Sequence, residues 1–137
     1  MLRTVLGALL GVVVAMLTIT AVEFLGHQVY PPPPGLNPME PADMERMLGL
    51  LPVGAKWFIV AAWTLGALLG GLVAALVAKR HPRIAALVPA LLVMVGVVMV
   101  SLQMPGHPRW MAVAGLLLPI PASLLGAALA GRRRPAP

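Results

Sequence analysis

Residues 20–35 read TAVEFLGHQVYPPPPG. An apolar segment runs up to this stretch from the N-terminus. Glu23 and His27 stand one helical turn apart in it, and Pro31–Pro34 follow at once. Proline removes a backbone donor and clashes with the preceding turn, so the helix must stop here. The segment before it, Val5–Val22, carries no charge. About 20 apolar residues cross the roughly 30 Å of bilayer hydrocarbon. The stretch therefore reads as the end of a membrane helix where ionisable groups first meet water.

Three more uncharged runs follow: Trp57–Ala78, Ile84–Gln103 and Trp110–Ala130. Each must be helical, because unpaired backbone groups are too costly in lipid. The chain has 137 residues, 60% hydrophobic and 10% charged. Soluble domains carry about 25% charged residues, so a sizeable soluble domain is excluded. The expected fold is an all-α, four-transmembrane-helix bundle forming one membrane domain over 1–137. Its helices are placed at about 4–28, 55–79, 83–104 and 108–131, with an external loop at 29–54. A cleaved signal peptide is the other reading of the first run. That run is long for an h-region of about 7–15 residues, and no A-x-A-like site precedes the prolines. An uncleaved anchor is expected.

The net charge is +6. The basic residues sit at the ends of apolar segments rather than in a patch interleaved with aromatics, so nucleic acid is not an expected partner. One side of the membrane collects Arg3, Lys79, Arg80, Arg83, Arg132, Arg133 and Arg134; the other collects Arg46, Lys56 and Arg109. The positive-inside rule then puts both termini in the cytoplasm. Loop 29–54 and the PGHP turn at 105–108 face outward. Phe24, Tyr30, Trp57, Phe58 and Trp110 fall at the outer ends of the spans, where amphipathic rings favour the headgroup level. Only Trp63 lies deeper. The cysteine count is zero, which excludes disulfides and thiol chemistry.

Helices in lipid gain little from hydrophobicity and associate through close contact of small residues. LGALLG occurs at 6–11 and again at 65–70, with LGAALAG at 125–131. Gly7 with Gly11, Gly66 with Gly70, and Gly71 with Ala75 form small-residue stripes, as does Gly126 with Ala130. Spans 1, 2 and 4 are expected to pack through them. Pro89, Pro119 and Pro121 interrupt spans 3 and 4, and kinks are expected there. In the outer loop, Met44, Met47, Leu48 and Leu51 follow an amphipathic helical pattern. A short helix at about 41–50 is expected, started at Asn37–Pro38 or Glu40–Pro41.

Thr20, Glu23 and His27 share one face of helix 1, roughly opposite the Gly7–Gly11–Ala15 stripe. Small residues on one side and polar ones on the other suit a central helix. With Tyr30 and His107 they form a candidate outward-facing polar site. Glu23, His27 and His107 would make a two-histidine, one-carboxylate metal set. Met39, Met44, Met47 and Met104 add thioethers on that side, which would suit copper. No tight ligand spacing supports a metal, and none is expected; nor is any cofactor. The plainer reading makes Glu23 and His27 an i,i+4 pair anchoring the helix exit, with His107 solvated. Catalytic residues are not expected. Ser101 and Ser123 lack the setting of a hydrolase elbow, and there is no phosphate loop or dinucleotide fingerprint.

EFLGHQVYPPPPGLNP at 23–38, LPVGA at 51–55 and AWTLGALLGG at 62–71 resemble a group of small four-span bacterial inner-membrane proteins. In that group a Glu-x-x-x-His helix end precedes a Tyr-Pro-Pro-Pro-Pro-Gly turn, and an Ala-Trp-x-x-Gly-Ala segment opens the second helix. The resemblance implies the fold and the bacterial inner membrane, and no activity. The expected role is that of a structural or interaction protein of the membrane. Its expected partners are the lipid bilayer and a second copy or another membrane protein. An oligomeric transporter or channel for a small solute or ion is the alternative reading, and a metal-binding protein of the periplasmic face a further one.

Overall fold

The computed structural model describes residues 1–132; Arg133 and Arg134, counted above in the basic bias, lie outside the described residues. Six helices follow in order: α1 (Leu2–Val29), α2 (Pro41–Leu50), α3 (Val53–Val77), α4 (Pro82–Gln103), α5 (Arg109–Leu117) and α6 (Pro119–Arg132). There is no strand among the described residues. Leu2–Val29, Val53–Val77, Pro82–Gln103 and Arg109–Arg132 are each long and apolar enough to cross a membrane. The chain is a small multi-pass membrane protein, a four-span bundle with one short helix between the first two spans.

The fourth span departs from a single helix. It breaks into α5 and α6 at Leu118, directly before Pro119. Leu118 keeps right-handed helical angles, φ −80° and ψ −34°. Its N–H bonds the Ala114 carbonyl at 2.9 Å, and its carbonyl accepts the Ala122 N–H at 3.0 Å. The helical path therefore continues through the break. Pro119 removes one donor without unwinding the span.

The centre of the bundle is α3, not α1 as the two-sided character of helix 1 suggested. α1 packs chiefly on α3 and less on α4, whereas α6 packs on α3 and α4. Two stripes of small residues on different sides of α3 account for this. On one side, a Cβ on Gly7 would lie 2.6 Å from the Ala74 carbonyl oxygen, and one on Gly66 would lie 3.0 Å from that of Ala15. On the other side, a Cβ on Gly126 would overlap the Leu68 carbonyl and one on Gly71 would overlap Ser123. Backbone meets backbone at these points, which is the contact that stabilises helix pairs in lipid.

Ser123 is fully buried in this interface and donates its hydroxyl to the Ala86 carbonyl of α4. Pro89 is also fully buried, two turns into α4, and it touches the α1–α3 crossing beside Gly11 and Gly70. The proline ring thus packs where helices converge.

Candidate functional site

The site forms where α1 runs out of helix. Tyr30 caps α1, its N–H bonding the Gly26 carbonyl at 2.8 Å. Its ψ of 83° lies outside the helical region, which a following proline disfavours. The chain then turns at Pro34–Gly35, where Gly35 has φ +85°. Only glycine adopts that angle freely. The last of the four prolines enters a turn that sends the chain back over the bundle.

α2 starts at Pro41 after Glu40, the second of the two expected starts. Asn37 prepares the turn instead: its side-chain oxygen accepts the Met39 N–H at 3.0 Å, and its own N–H donates to Asp43 Oδ2 at 3.1 Å. Leu48 is the anchor of α2. It is buried with Val60 and Met111, and Leu51, Ile59, Trp63 and Ala114 pack around them. Side chains, rather than close backbone approach, seat this helix.

Beneath α2 lies a cavity of about 370 Å³. Cavities of a few hundred Å³, mostly apolar with a few polar groups, are the usual form of small-molecule sites. Glu23, Gly26, His27 and Tyr30 contribute the α1 wall. Phe58 and Trp63 come from α3; Met44, Met47 and Leu48 form the roof; Met104, His107 and Met111 close the far side. Glu23 is half-buried and His27 is exposed at the rim.

Aromatic contacts fix the walls. Tyr30 meets Phe58 edge to face at 5.9 Å between centroids. Its hydroxyl occupies the space where a side chain on residue 54 would stand, so Gly54 admits it. Trp63 lies nearly parallel to His107, 6.4 Å between centroids and 19° between planes. A Cβ on Gly115 would come within 2.8 Å of the Trp63 ring, so this glycine lets the indole lie flat. Trp57 and Trp110 pair with each other at 4.9 Å and do not line the cavity.

His107 is the main departure from the expectation of a solvated turn. It is buried, and its Nδ1 has no hydrogen-bond partner. Burial pushes the imidazole below its usual 6.5; a weaker backbone interaction at Pro108 opposes this. That interaction does not reach hydrogen-bond geometry at Nδ1. A flat ring stacked under Trp63, in a turn packed against α2, loses its water. The PGHP turn is held there partly because the Glu45 side chain of α2 packs against Gly106.

Of the candidate residues, Glu23, His27, Tyr30 and His107 all reach the one cavity. Thr20 does not: it is exposed, and its hydroxyl donates to the Met16 carbonyl of its own helix at 2.9 Å. Among the described residues, no three His, Asp or Glu side chains converge closely enough to hold a metal. Met39 is exposed and away from the wall, while Met111, unremarked in the sequence, is fully buried in it. Met111 carried no sequence signal, being one more apolar residue at the start of the fourth span, and Trp63 stood out only as the aromatic lying deeper than the rest.

The arrangement is one of a binding pocket: soft apolar walls, one carboxylate, and imidazoles at the rim and in the wall. The class of protein it defines is a multi-pass helical membrane protein with a pocket at one end of the bundle. No known protein family, curated protein or solved structure matches this chain.

Proposed function

We propose that this chain is a non-enzymatic interaction protein of the bacterial inner membrane, and that it takes up a small, largely hydrophobic molecule at its outward end. The cavity under α2 carries this reading. It has ligand-pocket size and lining, and a short helix roofs it through side chains alone. Both termini are cytoplasmic in this reading, supported by the basic bias, and α2 then lies on the outer face. The resemblance in residues 23–38, 51–55 and 62–71 supports the bacterial inner membrane as location and membership of that four-span group.

Catalysis is disfavoured by where the hydroxyls point. Ser101 donates to the Val97 carbonyl at 2.8 Å and Ser123 to that of Ala86. A monomeric pore is disfavoured for a related reason. Thr18 and Thr64 also turn back onto carbonyls of their own helices, at 2.8 Å and 2.9 Å. Hydroxyls engaged in this way do not line a polar path.

Binding of the neutral probe N-phenyl-1-naphthylamine to protein in nanodiscs, corrected for empty discs, tests the proposal. Saturable binding is expected in the native chain. Ala55→Phe puts a large side chain into the cavity from α3 and should abolish it with the helical circular dichroism unchanged. Binding that never saturates, or that survives Ala55→Phe, refutes the pocket reading.

A further inference from the structure

We propose that the molecule taken up at this site is a hydrophobic organic cation, an amine or quaternary ammonium, with its charge held by Glu23. The proposal rests on the pocket reading above and adds the sign of the ligand's charge. Among the described residues Glu23 is the only carboxylate on the cavity wall, and no lysine or arginine lines it. Among the described residues no salt bridge joins Glu23. A carboxylate at membrane depth is expensive unless it serves a partner. The groups around it suit a cation. Trp63, Phe58 and Tyr30 present aromatic rings to the cavity, and ring faces attract ammonium groups. The buried His107 favours its neutral form, so it adds no competing positive charge; His27, one turn from Glu23 and exposed at the rim, interacts with it electrostatically but forms no salt bridge with it, so a ligand cation can still take the carboxylate. Four methionines in roof and wall, Met44, Met47, Met104 and Met111, give an adaptable apolar surface for the rest of the molecule. Charge complementarity together with shape thus selects the cation over a neutral or anionic analogue of the same size.

A matched series tests this: 4-phenylbutyl-trimethylammonium, 4-phenylbutanol and 4-phenylbutanesulfonate. Trp63 is the reporter, in a Trp57→Phe/Trp110→Phe background reconstituted in nanodiscs of neutral lipid. The cation should bind at least tenfold more tightly than the alcohol, and the sulfonate weakest. Glu23→Gln should weaken the cation at least tenfold and leave the alcohol unchanged. If Glu23→Gln fails to fold, the ranking of the three ligands on the native chain decides alone. Equal binding of cation and alcohol overturns the charge assignment while the pocket stands. Tightest binding of the sulfonate does the same. If none of the three binds, while N-phenyl-1-naphthylamine still binds saturably, the cation proposal fails alone. If that probe does not bind either, both readings fail.

Discussion

Replacing Gly11 by alanine should destabilise the bundle, whereas the same change at Gly96 should not. A Cβ on Gly11 would stand 2.6 Å from the Gly70 carbonyl oxygen and 2.7 Å from Ala74 Cβ. Ordinary contact begins near 3.4 Å, so the first distance falls about 0.8 Å short. The obstacle is backbone, which no rotamer change can move, so α1 and α3 must separate. A gap of about 0.5–1 Å forfeits a quarter to a half of the dispersion energy at each contact it opens. Overpacking of this kind costs about 1–3 kcal/mol. The contact is reciprocal: a Cβ on Gly70 would lie 2.7 Å from the Gly11 carbonyl oxygen. Once the helices have parted for one methyl, the second needs little more room, so the double variant should cost clearly less than the sum of the singles. At Gly96 nothing lies within 4 Å of the added carbon. There alanine should be neutral, or stabilising by up to about 1 kcal/mol through helix propensity. Unfolding in mixed micelles of rising SDS fraction, followed by circular dichroism, measures all four variants. Equal effects at residues 11 and 96, or strict additivity at 11 and 70, would refute the backbone-contact account.

Four other outcomes follow from particular contacts. Ser123→Ala removes the hydroxyl that bridges α6 to Ala86 and should cost about 0.6 kcal/mol, the average for interhelical hydrogen bonds in a membrane protein; a neutral result in the same SDS titration would mean that the bond is not formed. Leu48→Asp puts a charge in the buried anchor of α2, so limited proteolysis should cut the 31–40 segment faster while the four spans stay intact; unchanged cleavage would argue against α2 as a docked roof. Because burial lowers the His107 pKa below 6.5, the unfolded chain binds this proton more readily than the folded one. Stability from this group is therefore complete above pH 6.5 and is lost as pH falls from there toward the depressed value; His107→Phe, which keeps a ring under Trp63, should flatten that slope, and an unchanged slope would exonerate His107. A reporter fused after Pro137 should read as cytoplasmic, and an external signal would invert the proposed topology.

The spans, their ends and the short loop helix were legible because each rests on a local rule. Apolar length marks a span, Pro31–Pro34 end α1, and Met44, Met47, Leu48 and Leu51 share a face of α2. The centre of the bundle was not legible, because it is a relation between stripes. Gly7–Gly11 and Gly126–Ala130 each mark one contact face, but α3 carries two, Gly66–Gly70 and Gly71–Ala75, on different sides. A helix with two small-residue faces packs on two neighbours; the polar patch on α1 was instead misread as a second packing face. The burial of His107 was not legible for a similar reason. A Pro-Gly-His-Pro turn looks solvated when judged by its own four residues. Its burial depends on Glu45 packing against Gly106 and on Trp63 lying flat against Gly115, contacts between segments far apart in the chain. Gly35 links the two scales. A single positive φ after the prolines turns the chain back, brings α2 over the end of the bundle, and converts Glu23 from the last charge of an exposed helix into the one carboxylate of a roofed cavity.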